Sequence, residues 1–166
     1  MKKKLIIGLL LMTTILSCSK ENSDTEDGPI QFVLGNLSAK IDDHLFTSND
    51  GFGGEAYKDH GRNLVITAHS ADLQKGFSFG IPNFMGIGEY LLNDMLDEET
   101  GLGAYYEGDL NWVTSAGLPV GSMKVTEYKE NEYMKGTFYF TGKNIEGNVK
   151  NITEGVFDIP IATIRE

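Results

Sequence analysis

The sequence predicts an all-β protein, an antiparallel β-sandwich or partly closed barrel of about ten short strands, from three observations. Glycine is frequent, at 20 of 166 residues. Helical periodicity is nearly absent. Short runs that alternate apolar and polar side chains recur every 10–15 residues from Phe32 onward, as expected of strands with one buried face. No strand–helix alternation of the βαβ kind interrupts them, so a parallel sheet is not expected.

In chain order, Leu37 to Ile41 and Leu45 to Thr47 flank Asp42-Asp43-His44, which has the composition of a hairpin turn. Asn63 to His69 alternates, with Leu64, Ile66 and Ala68 on one face. Phe77, Phe79 and Ile81 line one face of the next strand, which Pro82 ends or pushes to an edge. Gly88 to Leu92 is a short strand closed by the acidic loop Asn93 to Gly101, where a turn near Asn93–Glu99 is the one place for a helix. Ala104 to Glu107 and Asn111 to Thr114 are separated by Gly108-Asp109. Ser122 to Tyr128 places Met123 and Val125 inward, and Lys129 to Glu132 turns the chain. Tyr133 to Gly142 sets Phe138 and Phe140 on one face and Thr137, Tyr139 and Thr141 on the other. Asn144 to Gly147 then leads into Val149 to Thr153, Gly155 to Ile159 is the last clear strand, and Pro160 to Glu166 reads as an edge or tail. Pattern alone leaves sandwich and barrel open.

The N-terminus has a different character. Lys2-Lys3-Lys4 precedes an apolar run from Leu5 to Ile15 and then Leu16-Ser17-Cys18. A basic segment, a short apolar segment and a small residue before the cut describe a secretory signal peptide over 1–17. The run is shorter than the ~20 residues a spanning helix needs. Ile15-Leu16-Ser17-Cys18 resembles a bacterial lipobox, which implies cleavage between Ser17 and Cys18 and acylation of the Cys18 sulfur, including a palmitate-type chain. Several acyl chains are needed for stable anchoring. Cys18 is the sole cysteine, so acylation leaves the mature chain with neither free thiol nor disulfide.

Residues 18–30 then form the lipidated cysteine and a flexible acidic tether, too polar to bury enough surface to offset ordering. Residues 31–166 are expected to form a single β domain. Ser19-Lys20-Glu21, with Asp24, Glu26 and Asp27 after it, resembles the short acidic export signal of surface-displayed lipoproteins in Bacteroidota-type bacteria. The expected location is the cell envelope, as an outer-membrane lipoprotein either surface-exposed or facing the periplasm.

Charge narrows the partners. Removal of residues 1–17 takes three lysines and no acid, leaving 11 basic and 24 acidic residues, or −13. Nucleic acid requires a basic footprint and is excluded. Anionic headgroups repel such a chain, so the membrane partnership is expected through the acyl chains on Cys18.

Ala39-Lys40-Ile41-Asp42, Leu45-Phe46-Thr47, Leu64-Val65-Ile66-Thr67 and Gly86-Ile87-Gly88-Glu89-Tyr90-Leu91 come in a recognisable order. Gly136-Thr137-Phe138-Tyr139-Phe140-Thr141 and the run Val149 to Asp158 follow. Together they resemble a family of small Bacteroidota outer-membrane or surface lipoproteins with a domain of unknown function, over roughly residues 37–161. The family's early Asp-Gly turn is replaced by Asp42-Asp43-His44. The resemblance implies fold and location and carries no catalytic residue.

The chemical motifs weigh against catalysis. Gly76-Phe77-Ser78-Phe79-Gly80 fits the nucleophile-elbow pattern, yet Ser78 lies in a period-2 run, no helix follows, and His44, His60 and His69 all precede it. No histidine or cysteine spacing suits a transition metal. The acidic stretch Asp94 to Glu99 is a place for calcium only by composition, without an EF-hand spacing. Tyr90, Tyr105, Tyr106 and Trp112 are candidates for an aromatic binding platform, with core packing as the alternative. Tyr105 and Tyr106 are adjacent and must face opposite sides of a strand. The expectation is a non-enzymatic, lipid-anchored β-domain without cofactor or metal, binding a glycan or an envelope protein. The alternative is a calycin-like carrier of a small apolar ligand.

Overall fold

A computed structural model describes residues 35–48, 55–58, 63–94 and 99–163. Eleven strands run in chain order: β1 (Asn36–Ile41), β2 (His44–Thr47), β3 (Glu55–Lys58), β4 (Leu64–His69), β5 (Lys75–Ile81), β6 (Gly88–Leu92), β7 (Leu102–Glu107), β8 (Leu110–Val113), β9 (Gly121–Lys129), β10 (Tyr133–Lys143) and β11 (Val149–Thr163). No helix occurs among the described residues. The lipobox, the tether, His60 and residues 95–98 of the acidic loop lie outside them.

The spatial order is β2-β1-β11-β3-β4-β5-β7-β8-β10-β9-β6. From β3 to β6 this is an eight-stranded antiparallel sheet curled into a half-barrel. β11 spans the gap. It pairs antiparallel with β10 along most of its length and then parallel with β3 through Ile161 to Thr163. The link between β8 and β10 is a single pair, Lys143 with Val113. The architecture is therefore the partly closed barrel of the two that the sequence allowed.

Alternation explains the core. Leu64, Ile66 and Ala68 of β4 are buried, as are Phe77, Phe79 and Ile81 of β5, Met123 and Val125 of β9, and Phe138 and Phe140 of β10. The phenylalanine rings fill the half-barrel: Phe77 lies 5.2 Å from Tyr105, 5.5 Å from Phe138 and 5.1 Å from Phe46. Phe46 belongs to the β1–β2 hairpin, which folds over this cluster. Its turn needs two left-handed residues, and Asp42 (φ 48°) and Asp43 (φ 68°) supply them, aspartate being among the few side chains that tolerate that region.

Three strand details depart from expectation. β3 over Glu55–Lys58 was not anticipated. Val149 to Thr153 and Gly155 to Ile159 are one strand, carried across a bulge at Glu154 (φ 51°) where both ladders shift register. Pro160 does not end it, because Ile161 N–H donates to Glu132 O at 3.3 Å and the strand needs no proline N–H to continue. At the bulge, Gly155 lets the Phe138 ring lie directly on the β11 backbone.

Candidate outer-face binding groove

One row of residues crosses six strands in register: Glu89, Lys124, Thr137, Val156, Ser38 and Thr47. These side chains face outward because the positions that alternate with them, such as Met123, Phe138 and Phe157, fill the interior. The next row adds Leu91, Ser122 and Tyr139 from β6, β9 and β10. Across the centre of this face runs a groove of about 440 Å³ lined by Glu89, Ser122, Lys124, Thr137, Tyr139 and Val156. A second depression of about 360 Å³ continues it past Val156 toward Ser38 and Thr47.

The groove combines an aromatic surface with fixed polar groups. Tyr139 is 53% exposed and Val156 51%. Ser122 is buried in the groove floor and its hydroxyl donates to Glu89 Oε1 at 2.7 Å. At the rim Lys40 Nζ donates to Glu154 Oε1 at 2.7 Å, and that hydrogen bond holds the Lys40 ammonium above its ordinary range. An exposed phenol ring with a carboxylate, an ammonium and hydroxyls around it can stack a ligand and hydrogen-bond its edges.

The four aromatics singled out from sequence do not form one platform. Tyr105 and Trp112 are interior, with ring centroids 5.8 Å apart. Burial also pushes the Tyr105 phenol up, keeping it neutral as a donor to Glu107 Oε2 at 3.3 Å. Tyr106 does face the other way. It lies over Gly76, where a Cβ would meet its hydroxyl, and hydrogen-bonds His69 Nδ1 across β5. Tyr90 packs its ring 5.3 Å from Phe84, and its hydroxyl bonds the loop before β6. Tyr139 is the exposed ring of the groove. Sequence alternation sets it opposite Phe138 and Phe140, but nothing in that pattern marks its face as grooved.

A second polar cluster lies at the end of the half-barrel where the β1–β2 hairpin turns. Lys75 Nζ is 2.7 Å from Glu107 Oε1, and Lys150 Nζ is 3.4 Å from Glu107 Oε2 and 4.0 Å from Asp42 Oδ2. The Lys150 ammonium also sits 4.7 Å over the Trp112 ring. The hydrogen bond from Lys75, with Lys150 beside it, holds the Glu107 carboxyl below its usual range. A carboxylate kept ionised by two lysines is a poor proton donor, and the cluster caps the core. Its cavity of about 160 Å³ is small.

Ser78 occupies a regular ladder position between Thr67 and Ala104, without the strained strand-to-helix turn of a nucleophile elbow. Among the described residues no three His, Cys, Asp or Glu side chains converge as metal ligands.

Comparison with curated proteins and with solved structures gave no match. Comparison with family models gave one: residues 35–160, from the first described strand to the end of the β10–β11 pairing, match a domain of unknown function, DUF6252, and the chain belongs to that family.

Proposed function

We propose that this chain is a lipid-anchored cell-envelope binding module that takes a neutral glycan in the groove centred on Tyr139 and performs no chemistry. The observation that carries the reading is the exposed Tyr139 ring set among Glu89, Ser122, Lys124 and Thr137 on a rigid sheet. A pyranose offers an apolar face to such a ring and hydroxyls to the polar groups beside it. A framework of paired strands also holds such a site more firmly than a loop would. The acidic chain, at −10 before any processing, disfavours polyanionic sugars.

The anchor is supported by the lipobox resemblance at Ser17-Cys18 and by the resemblance to Bacteroidota lipoproteins. It attaches the domain to the outer membrane through acyl chains on Cys18, either at the cell surface or facing the periplasm. The carrier reading is less well supported. A carrier requires an empty interior, whereas Phe79 packs 4.9 Å from Phe138 and 5.9 Å from Phe140 where cargo would sit.

The test is binding to an immobilised panel of neutral and uronic-acid glycans. Removing the Tyr139 ring forfeits roughly the burial energy of one aromatic side chain, ~1.5–3 kcal/mol or about 10–100-fold in affinity. Tyr139→Ala is therefore expected to lose binding of a neutral glycan by that factor, and Tyr139→Phe to keep most of it. Binding that is indifferent to Tyr139→Ala, or confined to uronic-acid glycans, contradicts the proposal.

A further inference from the structure

We infer that the rim of the domain bearing Met85 and Ile87 rests in the headgroup region of the bilayer that holds Cys18. This rests on the lipid-anchored reading above and adds an orientation to it. The loop Pro82 to Ile87 joins β5 to β6. Phe84 points into the core at 1% exposure, while Met85 and Ile87 on either side of Gly86 are 71% and 66% exposed.

The loop is held in place. The Tyr90 hydroxyl donates to Gly86 O at 2.8 Å and accepts from Met85 N at 3.1 Å. Phe84 lies 5.2 Å from Tyr128, and Gly86 sits so close to the Tyr128 ring that a Cβ there would approach it to 3.2 Å. Two large apolar side chains are thus displayed on a fixed turn, so little order remains to be lost on contact.

Their position relative to the first residue of the domain, Gly35, follows from the ladder. Tyr128 pairs with Met134 and Met134 with Ile159. Gly35, the first described residue, lies against the Ile159 backbone, where a Cβ would come within 2.3 Å of its Cα. Tyr128, which the loop touches, and the start of the domain therefore share one rim, three strand spacings or about 14 Å apart. Residues 19–34 separate Gly35 from Cys18, and sixteen residues span at most roughly 55 Å. That link limits how far this rim can lie from the lipid that holds Cys18. The opposite end, with the Asn144–Asn148 turn, lies at the far end of β10. Of the rim charges, Lys129 pairs with Glu132 at 2.6 Å, and Lys135 lies 3.3 Å from Asp158 and 3.9 Å from Glu127. The contact is accordingly apolar and insensitive to salt.

The test uses the full mature chain reconstituted through its acyl groups into phosphatidylcholine vesicles, some carrying nitroxide-labelled lipid. A fluorophore is placed at Glu130→Cys, in the β9–β10 turn on this rim, or at Ile145→Cys, a 98% exposed site at the far end. The label at 130 is expected to be quenched several-fold more than that at 145, with no change on adding salt. Met85→Ser with Ile87→Ser, both at exposed positions, should bring the two labels level. Equal quenching in the unsubstituted loop, or quenching at 130 that survives the double substitution, overturns the inference. An intact mass without acyl groups overturns the anchored reading and this orientation together, whereas acylation with equal quenching overturns the orientation alone.

Discussion

The close approach of Gly155 to Phe138 leaves no room for a side chain at position 155, so Gly155→Ala is expected to destabilise the domain. A Cβ on residue 155 would sit 2.6 Å from Cγ, Cδ2 and Cε2 of the Phe138 ring. Gly155 itself has no positive φ, so backbone strain is not the issue. The ring must move by close to an ångström to restore van der Waals contact. Phe138 is 2% exposed and hemmed in by Phe77 at 5.5 Å, Phe79 at 4.9 Å and Phe157 at 6.5 Å. Overpacking of such a site costs about 1–3 kcal/mol, which for a domain of this size lowers Tm by roughly 3–12 °C. Phe138→Leu shrinks the obstructing group at its own cost of about 1 kcal/mol. Denaturant unfolding of Gly155→Ala, Phe138→Leu and the double variant gives the coupling. The double variant should be more stable than the sum of the single effects by at least about 1 kcal/mol. Strict additivity, or a neutral Gly155→Ala, would refute the packing argument.

Further expectations concern charge, a turn and the anchor. Glu107 has a depressed pKa, first through its hydrogen bond from Lys75. It therefore contributes stability that is present above the unfolded carboxylate pKa of about 4.3 and lost as pH falls through the lower folded value. Glu107→Gln should flatten the acid limb of a stability-versus-pH curve, and an unchanged slope would count against the cluster. Asp43 holds φ at 68°, so Asp43→Gly, which makes an Asp-Gly turn, is expected to raise stability by about 0.5–1 kcal/mol in thermal unfolding. On fractionation Cys18→Ala should release the protein from the membrane, while protease treatment of intact cells decides between surface and periplasmic display. Retained attachment would remove the lipobox reading.

Most strands were legible because one face of each is buried, which prints a period of two on the sequence. β4, β5 and β10 are the clearest cases. β3 was not, because four residues carry too little pattern and its parallel partner, Ile161 to Thr163, is a hundred residues away in the chain. Pro160 misled for a local reason. A proline ends a strand only where its missing N–H is needed, and here the neighbouring Ile161 makes the bond. The aromatic site was hard to read because alternation fixes which residues share a face without fixing which face is wet. It separated Tyr105 from Tyr106 correctly, but only the curl of the sheet put Tyr105 and Trp112 inside and left Tyr139 in a groove. The cross-strand row from Glu89 to Thr47 depends on five registers and on the Glu154 bulge, none of which a single sequence displays.

The most direct measurement of the central claim is a titration of the isotope-labelled protein with a neutral oligosaccharide, followed residue by residue in amide spectra. Binding in the groove predicts saturable shifts at Ser122, Lys124, Thr137 and Tyr139, extending along the row to Val156 and absent in Tyr139→Ala. Shifts confined to the Lys75, Glu107 and Lys150 end, or no saturable shift with any neutral glycan, would contradict the outer-face groove as the binding site.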